Sequence, residues 1–340
     1  MPLLNLGNIN TEVMTTSYIM NAIRQGASEA YRRAIPLATP GTTMAVGSEI
    51  MDSEDFANEY VKGLVTTYVL KWVTSMYFEN PLKIFKMPYA VGGSGNVEFF
   101  INGSSVGVND YDPEGANVDK PQTTTINSKI HKVNSQKEFK VSLYLNTLKM
   151  SFVDEGSALN MIMGLVSALF TQMEKDEYTN TKNVLTTFNT STAFKQIATA
   201  DDTPASLVEK IREVGLDMQF PSTKYIAGAY EQTTQIENLI VLTTPANVAK
   251  IDVQVLANAF NMGKADWVGR VVVIDTLPSI ANIACLVGDA RFFNIQDTWL
   301  DMRVRENESG RFFNVFLNKD TVYSASPFFN MAAITQAPTA

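Results

Sequence analysis

Residues 251–278 read IDVQVLANAFNMGKADWVGRVVVIDTLP. Val255, Leu256, Ala259 and Phe260 stand at i, i+1, i+4 and i+5, which gathers them on one face of a helix. Gly263 follows where a C-terminal cap would sit. Asp266 and Trp267 then lead into Val271, Val272, Val273 and Ile274, a β-branched run that predicts a fully buried strand. Helix, turn and strand in so short a span predict a mixed α/β segment.

The same alternation extends on both sides. A short amphipathic helix is predicted at 206–214 after Thr203-Pro204, strands at 238–242 and 283–287, and helical segments at 245–250 and 253–262. From Arg291 the pattern turns to β. Met302 and Val304 alternate with charged residues, Phe313, Val315 and Leu317 alternate after a turn at Glu308-Ser309-Gly310, and 322–333 returns after a turn at Asn318-Lys319-Asp320, as an antiparallel meander. Upstream, Asp154 or Ser157 opens a long helix toward Phe188, with Leu159, Met163, Val166, Phe170 and Met173 at helical spacing. Residues 88–147 read as two extended arms, 96–101 and 139–145, around a polar middle. So long a hairpin is marginal when isolated in water and reads as a projection reaching over a neighbouring subunit. At the start, a helix at 12–24 precedes an Ala-, Pro-, Thr- and Gly-rich run at 34–47 that buries little by itself. A helix from Asp52 or Ser53 then repeats Phe56, Tyr60, Leu64, Tyr68, Trp72 and Met76 every four residues until Asn80-Pro81 ends it. Residues 336–340 read as a free tail.

Three further blocks stand out in order: Asn80-Pro81-Leu82-Lys83-Ile84-Phe85-Lys86, then Leu148-Lys149-Met150-Ser151-Phe152-Val153, then Asp176-Glu177-Tyr178 with Lys182 after it. With the 251–278 unit they resemble the major capsid proteins of small short-tailed (podovirus, phi-29-like) bacteriophages, from about residue 15 to residue 330. The resemblance implies an α+β chain of the Hong Kong 97-like (HK-97) major capsid fold. It implies an N-terminal arm and following helix over 1–87, an E-loop over 88–147, a P-domain with a long spine helix over 148–200 and 291–334, an A-domain over 201–290, and a tail over 335–340. It further implies a structural protein of the virion, assembled in the host bacterial cytoplasm. Pentamers and hexamers of the chain itself would enclose double-stranded DNA in an icosahedral or prolate shell, with a scaffolding protein and a portal as partners. Gly92, Gly93, Gly95, Gly103 and Gly107 are the candidate hinges of the hairpin. Two departures stand out. The immunoglobulin-like C-terminal domain of phi-29-type proteins has no counterpart here, and no Lys–Asn–Glu crosslinking triplet of the wider fold can be placed, which predicts a non-crosslinked shell.

Composition narrows the alternatives. The chain has 340 residues, 45% hydrophobic and 18% charged, which describes an ordered protein with a large core. A net charge of −8 argues against a basic groove for nucleic acid, and is compatible with a wall standing near DNA without adhering to it. The single cysteine, Cys285, excludes an intramolecular disulfide and sits in an apolar run, as a buried small hydrophobe does. The apolar run at 159–170 is too short to span a bilayer, so no membrane partner is expected.

The sequence predicts no catalytic, cofactor-binding or metal-binding residue. The only histidine, His131, lies between Lys129 and Lys132 in a polar strand and reads as a surface residue, not a general base. Gly92-Gly93-Ser94-Gly95 lacks the Lys-Ser/Thr and the helix of a phosphate loop. Asp110-Tyr111-Asp112-Pro113-Glu114-Gly115 starts like a calcium loop but carries Pro121 where a bidentate Glu is required. Glu174, Asp176 and Glu177 read as a solvated helix face. The aromatic pairs Phe99-Phe100, Phe292-Phe293, Phe312-Phe313 and Phe328-Phe329 read as core and interface. Trp267, Asn261 and Met262 read as packing residues first and subunit contacts second. The rival readings are another self-assembling phage structural protein, such as a tail tube or decoration protein, or an α/β enzyme.

Overall fold

The computed structural model describes residues 16–67, 78–89, 95–103, 106–107, 113, 121, 123–144, 157–228, 230–258, 269–307 and 309–336. Tyr68, Trp72 and Met76, the glycines at 92 and 93, the acidic Asp110 loop, the 148–153 block and the 259–268 part of the opening motif lie outside them. The chain divides into two compact units, one of Met1–Glu79, Glu138–Glu174 and Asp301–Asn318, the other of Asn80–Lys137, Lys175–Leu300 and Lys319–Ala340.

The described part of the first unit holds α1 (Thr16–Gly26), α2 (Glu29–Ala34), α3 (Thr43–Asp52) and α4 (Glu54–Thr67), together with residues 157–174 of a longer helix. Ile19, Met20 and Ile23 form the buried face of α1 and pack in one core with Tyr31, Val46, Ile50, Tyr60, Val61 and Leu64. The run at 34–47, expected to bury little, is instead fastened into this core. The Asn21 side chain donates to the Ala38 carbonyl at 2.7 Å and accepts from the Ala38 amide at 2.8 Å. Arg24 Nε donates to the Ile35 carbonyl at 2.7 Å, and Ile35, Ala38 and Val46 are buried. Side chains of α1 satisfy the backbone that the irregular run leaves unpaired, which its composition could not show.

The second unit holds a five-stranded mixed sheet of order β4–β10–β7–β5–β6: β4 Lys195–Ala198, β5 Leu239–Thr243, β6 Arg270–Val273, β7 Ile283–Asp289 and β10 Met331–Thr335. β10 runs parallel to β4 and antiparallel to β7, and β5 runs antiparallel to β7 and parallel to β6. Period-2 alternation sends Leu239 and Val241 to one face, with Leu207, Ile211 and Val214 of helix α6 (Pro204–Asp217). Ile240 and Leu242 go to the other face, with Val184, Leu185 and Phe188 of helix α5 (Ser157–Ser191). Thr203 caps α6, its hydroxyl accepting from the Ser206 amide at 3.3 Å.

Several expectations are corrected. Val271–Ile274 is not a fully buried strand: β6 is the sheet edge, and of its run Val272 is buried while Val273 is 39% exposed. The segments at 245–250 and 253–262 form one continuous helix, α7 (Pro245–Asn258), in its described part. The three-stranded sheet of order β3–β9–β8 contains β3 (Ser135–Tyr144), β8 (Phe293–Asn307) and β9 (Phe312–Ala325). β9 runs straight through the turn expected at 318–320, and the third arm of the meander leaves to join the five-stranded sheet as β10. Thr335 belongs to β10, and the Gln336 amide donates to the Asn282 carbonyl at 2.8 Å, so neither is free tail.

The hairpin is also re-paired. β1 (Gly95–Ile101) joins antiparallel to β2 (Ile126–Lys132), not to the 139–145 segment. Residues 139–144 belong to β3, whose Leu143 enters the core of the first unit with Phe139 and Val141 packed beside it. An alternating apolar strand is drawn to the larger core, and the more polar 126–132 is left to close the hairpin.

Leu286 is fully buried in the central strand β7. Leu286→Ala is expected to lower the unfolding free energy of the chain by about 2–5 kcal/mol, whereas Leu216→Ala, at an exposed helix position, costs less than about 0.5 kcal/mol. Urea unfolding of the two variants checks the contrast.

Candidate functional site

The buried stripe of α5 is not apolar throughout. Val166, Phe170, Met173, Glu177, Thr181, Val184 and Phe188 recur at helical spacing and all are buried. Glu177 is therefore part of the inward face. This corrects the reading of Glu174, Asp176 and Glu177 as solvated: Glu174 and Glu177 are both buried. The inward faces of the strands carry matching charges. Asp297 continues the alternation of Phe293 and Ile295 on β8, and Lys319 continues that of Phe313, Val315 and Leu317 on β9.

These residues meet in a buried ion network within the second unit. Lys319 Nζ donates to Glu177 Oε2 and lies 3.3 Å from Asp297 Oδ1. Lys86, from the end of the Asn80–Lys86 block, reaches Glu177 Oε2 at 2.9 Å and Asp297 Oδ2 at 2.6 Å. Thr321 Oγ1 donates to Asp297 Oδ1 at 2.9 Å. Two ammonium groups thus face two carboxylates, and the charges balance. Burial alone would favour the neutral amine of Lys86, but Glu177 and Asp297 outweigh it and raise its pKa.

A second contact joins the motif blocks. Tyr178 Oη donates to Asp275 Oδ1 at 2.5 Å, and Lys182 Nζ donates to its two carboxylate oxygens at 2.6 and 2.8 Å. Burial opposes the charge on Asp275, but the Lys182 and Tyr178 hydrogen bonds win and lower its pKa. Of the blocks singled out in the sequence, Lys86, Glu177, Tyr178, Lys182 and Asp275 thus converge on one stretch of α5.

The hairpin has an inverted amphipathicity. Asn96, Glu98 and Phe100 of β1, with Asn127, Lys129 and His131 of β2, share the more covered face. Val97, Phe99 and Ile101, with Ile126 and Ile130, share the other face, and their exposures run from 51% at Val97 to 68% at Phe99. His131 is not a surface residue as expected. It is 1% exposed, with Nδ1 2.8 Å from Ser324 Oγ and Nε2 3.0 Å from Glu98 Oε2. Glu98 Oε1 accepts from Ser326 Oγ at 2.9 Å, and Lys129 Nζ donates to the Ala325 carbonyl at 2.6 Å. Alternation in β2 turns the ring inward and leaves the flanking Ile130 and Lys132 exposed, which residue type alone did not reveal. The Ser324–His131–Glu98 order superficially resembles a hydrolase relay, but a ring closed off from solvent offers no place for a substrate.

The remaining candidates fall as follows. Gly95 opens β1 with φ +145°, where a Cβ would run into the carbonyl of His131, so this position requires glycine. Phe100 stacks on Phe328 with centroids 5.2 Å apart, and Phe292 packs against Phe188, so these aromatics serve packing. Cys285 is fully buried, which pushes its thiol pKa far up and leaves it inert. No helix among the described residues is long and apolar enough to cross a membrane.

Removing Lys319 leaves two buried carboxylates sharing one ammonium. Lys319→Met is expected to cost about 3–5 kcal/mol in urea unfolding. Adding Glu177→Gln is expected to cost less than the sum of the two single changes, because the orphaned charge goes with it. At Asp275 the depressed carboxyl contributes stability above its unfolded pKa of about 3.9 that disappears as pH falls through the lower folded value. The stability gap between the native chain and Asp275→Asn should therefore hold above about pH 4 and close in more acidic unfolding series.

Residues 20–335 match the family of Phi29-like phage major capsid proteins. The major capsid protein of Bacillus phage B103 is 28% identical over 94% of this chain and 73% of its own length. That of Bacillus phage PZA is 26% identical over 94% of this chain and 73% of its own length. Among solved structures, the capsid of Staphylococcus phage Andhra superposes with a TM-score of 0.58 at 15% identity, over 78% of this chain and 86% of that one. The fold is that of the Hong Kong 97-like phage capsids, an α+β architecture. The chain belongs to the Phi29-like phage major capsid protein family.

Proposed function

We propose that this chain is the shell-building subunit of a phage head, assembling head-to-tail with copies of itself into pentamers and hexamers that close around double-stranded DNA. The observation that carries this reading is the exposed face of the hairpin. Val97, Phe99, Ile101, Ile126 and Ile130 form a contiguous apolar surface on a two-stranded sheet. Such a patch on a monomer marks a contact surface, and in a capsid family the occupant is a second copy of the chain. The hairpin is the E-loop, the segment through residue 87 the N-terminal arm and following helix, 148–200 with 291–334 the P-domain, and 201–290 the A-domain.

The chemistry is geometric. A heterologous interface closes into a ring when the rotation per subunit permits it, and one sequence serves rings of five and six only if part of the interface can change its angle. Gly95 is a pivot of the hairpin; Gly103 and Gly107, in its connection, are further hinge positions. A scaffolding protein and the portal are the further partners, and the net charge of −8 keeps the wall from adhering to packaged DNA. The shell is not covalently crosslinked, and it is assembled in the bacterial cytoplasm and kept in the virion.

The double variant Val97→Asp/Phe99→Asp places charge on the outward face and leaves both cores untouched. It is expected to fold as the native chain does by circular dichroism, yet to give no rings or shells in electron micrographs, with or without scaffold. Normal shells from this variant would refute the hairpin's place in the interface.

A further inference from the structure

We propose that His131 is the positioning residue of the hairpin, tying it through Nδ1 to Ser324 of the body of its own subunit and holding Glu98 of the facing hairpin strand through Nε2, and so fixing the angle at which the apolar face meets a neighbour. The inference rests on the reading of that face as an assembly surface. Its physical basis lies in how differently the two faces are held.

The covered face of the hairpin carries little apolar adhesion. Phe100, stacked on Phe328, is its one aromatic anchor, and the rows above it are polar: Glu98 opposite Lys129 and Asn96 opposite His131. An apolar contact tolerates sliding, whereas hydrogen bonds between buried groups hold a particular direction. A carboxylate only accepts, so Nε2 carries the proton it gives to Glu98, while the Ser324 hydroxyl, which both donates and accepts, pairs with Nδ1. Glu98 passes the tie on to Ser326, and Lys129 fills the place between them at the Ala325 carbonyl. Three consecutive residues at the end of β9 and just beyond it are thereby engaged by three side chains of the hairpin. Asn96 adds a link to β8, its amide donating to Asn294 Oδ1 at 3.3 Å and Gln296 Oε1 at 3.2 Å. Gly95, the pivot, abuts the backbone of His131, so latch and hinge lie at the same level of the hairpin. The arrangement has one seated position, because leaving it strands several buried polar groups at once.

Hydrogen exchange of the unassembled full-length chain tests this directly. In His131→Leu, and in Ser324→Ala/Ser326→Ala, which removes only two hydroxyls, amides of 95–101 and 126–132 are expected to exchange about tenfold faster or more, while those of β5 and β7 keep native protection. His131→Gln offers an amide that can donate toward Glu98 and accept from Ser324, and is expected to keep most of the hairpin's protection. Native exchange in the hairpin of the Leu and double-Ala variants would overturn the proposal, as would protection lost equally from β5 and β7, the mark of a general folding role. Electron microscopy of the same variants separates the two readings. A loosened hairpin with aberrant tubes or open sheets supports both; a loosened hairpin with shells of native geometry shows that His131 holds the hairpin but overturns its setting of the angle at the interface.

Discussion

Four charged side chains that cannot be separated without stranding a buried charge organise the second unit of this protein. Lys86, Glu177, Asp297 and Lys319 come from a turn, the long helix and two neighbouring strands, and each ammonium is paired with both carboxylates. Buried ion pairs add little net stability over an apolar core of the same shape, but they tolerate far fewer arrangements. The network therefore acts as a registration device. Helix α5 must present Glu177 at one rotation, and β8 and β9 must align Asp297 beside Lys319. With that register set, the five-stranded sheet packs one face on α5 and the other on α6.

On this frame the hairpin stands out as the element whose apolar side is turned away from its own core. A monomeric protein would gain by the opposite orientation, with Phe99 and Ile130 inward and Glu98 and His131 in water. The observed orientation costs an exposed apolar surface and several buried polar groups that must all be satisfied. On the proposed reading a shell subunit recovers that cost on assembly, when a second copy covers the exposed face. The inversion is what the proposed assembly surface of a capsid-family chain would require.

Much of this was legible in the residues. The long helix, Thr203 as a cap, the strands around 239–243 and 283–289 and the inertness of Cys285 follow from periodicity, capping and burial propensity. The motif blocks pointed to the family, and several of them meet around α5. What sequence reasoning missed has a common cause. Residue type sends Glu177 and His131 to solvent and Lys319 to a turn, although each falls on the buried phase of its own helix or strand. Followed strictly, the spacing from Phe170 through Glu177 to Val184, and from Phe313 to Lys319, signals an inward charge and hence a partner. The pairing of β1 with β2 was hidden for a different reason. Alternation marks a two-faced strand but does not name its neighbour, and the stronger apolar alternation of 139–145 drew it to the larger core.

The most direct test of the account is a side-chain-resolution electron cryo-microscopy reconstruction of particles formed by this chain. The account predicts a closed shell with five- and six-subunit rings, in which Val97, Phe99, Ile101, Ile126 and Ile130 are covered by a second copy while His131 remains bonded to Glu98 and Ser324 of its own. A shell in which that face stands in solvent, or a chain that stays dispersed with scaffold present, would contradict it.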